Sequence, residues 1–157
     1  MDEPFGRNVA RGKRARTSSS DPLWAKQGGN LDAEQALSGT LSSTYQFHTL
    51  NEPYPWWEVD LAATHLVHEV RVFNRHDVAL ERASRVQVLF SINGKDWKLV
   101  GERSEPGVFD GTDSEPYRWK ASTPLLARYV RLQLPSHDML HLNQVEVFGI
   151  PTAEALI

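Results

Sequence analysis

Beyond Trp56, apolar and polar residues alternate with a period of two through most of the chain. Trp57, Val59 and Leu61 share one parity and Glu58 and Asp60 the other, which puts the apolar set on one face of an extended strand. Val70 and Val72 repeat the pattern, and Val86, Val88, Phe90 and Ile92 make its longest run. That run meets Asn93-Gly94, a strong hairpin turn, so Trp97–Val100 is predicted as the partner strand. Further strands are predicted at 117–120, 128–134 and 143–148, the last two closed by Pro135 and Pro151. Helical spacing is confined to 32–37, where Asp32 is placed as the N-cap. About eight short strands separated by turn residues predict an all-β domain, an eight-stranded jelly-roll β-sandwich. The predicted domain spans 8–150 with its first strand near its last, and 1–7 and 151–157 are read as tails.

Composition narrows the chemistry. The 157 residues are 40% hydrophobic and 24% charged, enough for one packed core. A net charge of -3 gives no global attraction for nucleic acid, and the basic stretch from Arg11 to Arg16 reads as a solvated edge. With no cysteine, disulfides, thiol catalysis and Cys-bound zinc are excluded. No apolar run is long enough for a transmembrane helix, and residues 1–8 do not read as a secretory signal. Five tryptophans hint at an aromatic-lined site.

Several segments carry a family resemblance. Asn8 to Lys13 with Thr17-Ser-Ser, Pro55 to Leu61, Val72 to Arg75, Ala127 to Leu132 and Val145 to Gly149 resemble successive strands of the discoidin, or coagulation-factor C-type, domains. That family's cysteine pair joining the two ends is missing here, as in many bacterial members. Within the family, the F-type (fucose-binding) lectins carry a His, 26 intervening residues, then Arg, any residue, Asp, four residues, and Arg or Lys. His48, Arg75, Asp77 and Arg82 match that pattern. The resemblance implies a non-catalytic, lectin-like module for a monosaccharide or terminal sugar such as fucose or galactose. It further implies contact with extracellular or cell-surface glycans, and a linked or associated carbohydrate-active enzyme as a partner.

The residue types suit that chemistry. Arg75 and Arg82 offer planar forks of permanent N–H donors for neighbouring sugar oxygens, read as exposed rim charges. His48 adds a ring nitrogen able to select an axial 4-hydroxyl. Asp77, two residues from Arg75 and on the same side of a strand, is expected to orient the guanidinia. Tyr45, Phe47 and Trp24 are the candidates for the apolar wall, with Val78-Ala79 as its floor where the lectins have vicinal cysteines. The plainer alternative makes these groups a salt-bridge network that fixes a loop.

F-type lectins often hold a structural calcium, through a loop before the His and a Glu near the C-terminus. Here the loop reads Ser38-Gly39-Thr40 and the Glu position holds Gln144, so Ser38, Thr40 and Gln144 are weak calcium candidates and no cofactor is expected to be required. Asp32 and Glu34 could add carboxylates, and packing of Leu37 and Leu41 is expected to hold the loop. His65 and His68 are expected to face opposite sides, and His137 and His141 to flank a loop, read as solvated in preference to a border of the site's rim. Asp77 alone does not supply the carboxylate pair of a glycosidase, and no nucleophile elbow occurs, so an enzyme is not expected. The second functional reading is a discoidin-type adhesion domain that docks a protein or membrane through Leu50, Tyr54, Val78 and Leu80.

Overall fold

The computed structural model describes residues 6–109 and 115–155. Ten strands form among them: β1 (Arg7–Asn8), β2 (Arg14–Thr17), β3 (Phe47–His48), β4 (Glu52–Pro53), β5 (Trp56–Asn74), β6 (Gln87–Ser91), β7 (Lys98–Glu102), β8 (Tyr117–Gln133), β9 (His137–Asp138) and β10 (His141–Pro151). Eight join one antiparallel sheet along the path β1-β10-β5-β8-β6-β7, with β2 paired to β5 and β3 to β10. The remaining two, β4 and β9, make a separate ribbon.

The two long strands carry the sheet around a corner. Trp56–Asp60 of β5 pairs with β2 and with Tyr129–Gln133 of β8, whereas from His65 onward β5 pairs with β10 and the earlier half of β8. Between Asp60 and His65, residues 61–64 of β5 oppose Arg128 alone. Ala62 sits there at φ 70°, its N–H held by Asp60 Oδ1 at 2.8 Å. Extra residues on one strand bend it and strengthen its twist. The sheet thereby folds over itself into a β-sandwich. Phe90 of β6 meets Trp119 of β8 edge-on at 5.2 Å across the layers, and Gly101 of β7 leaves the room the Trp119 indole fills.

The alternating pattern places the core. Trp57, Val59 and Leu61 are buried, as are Val70, Val72, Val86, Val88, Val145 and Val147. Each such side chain contributes about 1.5–3 kcal/mol by leaving water. The pattern overreaches at Ile92, which is 57% exposed. Strand β6 stops at Ser91, whose hydroxyl accepts the N–H of Gly94 at 2.8 Å and starts the turn early. The helix α1 also differs from expectation, running over Gly29–Gln35 with Gly28 at its N-cap. Asp32 is therefore inside the helix, and its carboxylate reaches back to accept the N–H groups of Lys26, Gln27 and Gly28 at 2.8, 2.8 and 3.0 Å. Positive φ at Gly28 and Gly29 lets the chain enter the helix three residues sooner.

The expected closeness of first and last strands takes the form of β1 pairing with β10, Arg7 opposite Gly149. Arg7 thus belongs to the sheet, and after Pro151 the chain makes a helical turn, α2 (Thr152–Ala155), with the Thr152 hydroxyl donating to the Thr64 carbonyl. Residues 1–5 and 156–157 of the predicted tails lie outside the described residues.

Candidate functional site

Three chain segments meet at one end of the sandwich. The first is β3, which pairs with the start of β10, His48 opposite His141 and Phe47 opposite Leu142. Alternation then sends Phe47 and Leu142 into the core and turns the two imidazoles to the other side. Phe47 stacks on Trp57 at 6.2 Å and is 1% exposed, so it is a core residue and not a wall of the site.

The second segment follows β5. Asn74 ends that strand: its Oδ1 accepts the Arg75 N–H at 2.8 Å, and its Nδ2 donates to the carbonyls of Leu80 and Phe109. Arg75 and Asp77 consequently lie in a loop, not on a strand. They still pair two-fold, Nε to Oδ1 at 2.8 Å and Nη2 to Oδ2 at 3.1 Å. Those hydrogen bonds from Arg75 hold the Asp77 carboxyl at a pKa of about 2. The Arg75 guanidinium also lies over the Tyr45 ring at 4.7 Å. Arg75 is only 6% exposed, contrary to the expectation of a rim charge. Ala79, at φ 57°, then turns the chain into a short 3-10 helix, Leu80–Ala83, that carries Arg82.

The third segment is β9 with Met139. Arg82 Nη1 donates to His141 Nε2 at 3.4 Å and lies 3.9 Å from Met139 Sδ, while its Nε is 3.9 Å from Asp138 Oδ1. The Asp138 carboxylate is too far to accept a hydrogen bond, so Arg82 keeps spare donors.

A hollow of about 320 Å³ opens where these segments meet, lined by Trp24, His48, Arg75, Asp77, Val78, Ala79, Arg82 and Met139. It brings together His48, Arg75, Asp77, Arg82 and Trp24 of the residues picked from the sequence. Tyr45 stands behind them. Its hydroxyl donates to the Trp24 carbonyl, its ring meets His48 edge-on at 5.4 Å, and it supports Arg75 without lining the hollow. Trp24, 53% exposed, stacks on His48 at 6.0 Å and forms a wall.

His48 Nδ1 lies 2.9 Å from the Thr49 carbonyl, which can only accept, so Nδ1 carries the proton. Burial lowers the His48 pKa and keeps the ring neutral, leaving Nε2 as a lone-pair acceptor with no partner among the described residues. Arg75 Nη1 likewise makes no hydrogen bond among the described residues. The hollow therefore offers the His48 lone pair and the Asp77 carboxylate as acceptors beside donors on two guanidinia. Asp77 and Asp138 balance the two positive charges.

Sequence reasoning weighs the loop holding Met139 and His141 as a border of the rim, prefers a solvated loop, and so leaves both out of the site. His141 is fully buried at the start of β10, its ring 5.0 Å from His48, and not in a solvated loop. Burial and the charges of Arg75, His48 and Arg82 push its pKa down to about 3. The Arg-His-aromatic packing above it appears only when β3 pairs with β10. His76 turns away, its Nδ1 at 3.2 Å from the Ser42 carbonyl. Ser38, Thr40 and Gln144 also come together, at a separate place beside α1.

Residues 15–145 match the F5/8 type C domain. The chain belongs to that family. Within it the likeness is to F-type lectins. The chain is 30% identical over 151 residues to Fucolectin-6 of Anguilla japonica, covering 93% of this chain and 77% of the relative. A mutant lectin domain of lectinolysin, solved with Lewis b, superposes with a TM-score of 0.70 at 31% identity, covering 93% of this chain and 98% of the other. A fucose binding module from Streptococcus pneumoniae gives 0.69 at 26% identity, covering 94% and 97%. This F5/8 type C domain thus sits among lectins and binding modules, which are non-catalytic.

Proposed function

We propose that this domain is a lectin whose hollow holds one terminal, uncharged pyranose with an axial 4-hydroxyl, of the fucose or galactose type. One observation carries the reading: His48, whose Nε2 has no partner among the described residues, lines the same hollow as Arg75 and Arg82, which keep unused guanidinium donors. A sugar hydroxyl that donates to Nε2 can accept from an arginine at the same time, and its vicinal neighbour takes the second fork. With Asp77 and Asp138 balancing the arginines, the pocket suits a neutral sugar better than a sialic acid or phosphate. Trp24, Val78, Ala79 and Met139 give an apolar side for ring C–H groups. That side favours the methyl of a 6-deoxy sugar over a hydroxymethyl. The relatives named fucolectin and the fucose binding module support the same sugar class.

A shallow site of this size predicts weak monosaccharide binding, with Kd about 0.1–1 mM, so avidity comes from repeated glycans or copies. Calorimetric titration with L-fucose, D-galactose and D-glucose tests it. Saturable binding of fucose and galactose with none of glucose is expected. Equal binding of all three, or of none, refutes the reading. Sedimentation with phosphatidylserine vesicles in the same buffer separates it from a membrane-adhesion role.

A further inference from the structure

The segment between α1 and the hollow is tied down largely by two neighbouring amide side chains of β10. Gln144, 4% exposed on β10, donates from Nε2 to the carbonyls of Gln35 and Thr40, each at 2.9 Å, and to Ser38 Oγ at 3.2 Å. Its Oε1 accepts the Gly39 N–H at 2.9 Å. The loop from Gln35 to Thr40 thus wraps around an NH2 group, with three oxygens aimed at one point. Next to it, Asn143 fixes Ser42 and Thr44 in the same manner, its Oδ1 on the Ser42 N–H and its Nδ2 on both carbonyls. Packing does less than expected. Leu37 is buried, but Leu41 is 43% exposed.

Convergent oxygens in this loop are what a structural calcium would require, yet the residues do not fit one. Calcium takes six to eight oxygen ligands, and its affinity rises with the number of carboxylates. The oxygens here are two carbonyls and a hydroxyl, all three satisfied by N–H donors. The Asp32 carboxylate is used up by three backbone N–H groups, and Glu34 accepts the N–H of Ala15. The Arg11 guanidinium packs directly against Gly39, adding a positive charge beside the loop. A divalent cation would have to displace the amide and overcome that charge.

We propose that the Gln144 amide does the work of the structural calcium implied by the F-type lectin resemblance, so that the loop leading to the hollow is closed without a metal ion. The amide supplies partial positive charge at the centre of the loop and accepts from Gly39 at its other end. A metal ion does the first of these but not the second. The inference does not depend on what the hollow binds.

Thermal unfolding of the whole chain in EDTA and in millimolar calcium chloride tests it. The wild type is expected to melt within about 1 °C in both, since a ligand that does not bind the native state shifts nothing. A saturable rise of Tm with calcium, or a fall on chelation, would overturn the proposal. Gln144→Leu keeps the bulk and removes the amide; in EDTA it is expected to melt about 5–10 °C lower. Wild-type melting of that variant would also overturn it. Gln144→Glu replaces the donors with a carboxylate, so its Tm is expected to be low in EDTA and to recover with calcium. If neither variant folds, amide exchange at Gly39 in the wild type decides: protection unchanged by chelation supports the proposal, and its loss overturns it.

Discussion

Two regions of this domain hold arginine between an acid and aromatic rings, and only one is the proposed sugar site. On the outer face of the first layer, Arg131 lies between Trp56 and Trp97, 4.2 and 4.1 Å from the ring centroids. Its Nη2 donates to the buried Glu58 at 2.7 Å, and Arg16 approaches the same carboxylate at 3.5 Å. Arg131, Arg16 and Glu58 thus partner one another on the sheet. At the loop end, Arg75 is held as firmly but keeps Nη1 free, Arg82 has no carboxylate nearer than 3.9 Å, and His48 keeps a lone pair. The number of cations does not distinguish the two places. Unused hydrogen-bonding capacity facing a concavity does, because a group already satisfied gains little from a ligand.

The sharpest way to break this contrast is to truncate one arginine in each region. Arg82→Ala is expected to weaken fucose binding by at least about 100-fold, while stability falls by less than about 1 kcal/mol because its ion pair is loose and half-exposed. Arg131→Ala should do the reverse. Sugar affinity stays within about twofold, and stability drops by about 2–4 kcal/mol because Glu58 is left buried with a distant partner. Calorimetry and urea unfolding on the same preparations read both, and matching profiles for the two variants would erase the distinction. Arg75→Ala combines both losses, since Arg75 is buried against Asp77 and Tyr45 as well as facing the hollow.

Acid probes the buried side of the loop end. The unfolded chain binds a proton on His141 near pH 6.5, whereas the buried ring resists protonation until about pH 3. Stability from this group is therefore full above pH 6.5 and lost as the pH falls, by about 3 kcal/mol at pH 4.5. His141→Leu should flatten that limb of the Tm–pH profile. Asp77, with its pKa depressed to about 2, acts in a lower window, losing its contribution only as the pH drops below about 4. A profile in which wild type and His141→Leu run parallel would remove His141 from the account.

Smaller effects sharpen roles within the hollow. His48→Ala is expected to cost about tenfold in affinity for fucose and galactose, the loss of one hydrogen bond to the ligand. The proposed site has the sugar donating to Nε2, so wild-type affinity should stay flat around neutral pH and fall in acid, when burial no longer keeps the ring neutral. Smallest is Ala79→Gly. Relief of the left-handed backbone at φ 57° slightly outweighs the entropy lost by glycine, so stability rises by about 0.5 kcal/mol, while loss of one methyl from the lining of the hollow lowers affinity by about twofold.

Much of this molecule is legible in the order of its residues. Period-two alternation alone put Trp57, Val59, Val88 and Val145 in the core, because a strand has only two faces and one of them must leave water. The spacing from His48 to Arg82 marked four residues that the fold gathers around one hollow. Other features were settled by pairings between distant segments. The register of β3 on β10 buried Phe47 and His141 and turned Tyr45 from wall to support. The start of α1 moved Asp32 off the N-cap, and the meeting of Gln144 with a loop about a hundred residues earlier replaced packing by Leu41 with an amide. Local patterns fix which face a side chain takes. Which groups remain unsatisfied depends on what the rest of the chain brings against that face, and no window of neighbouring residues contains that information.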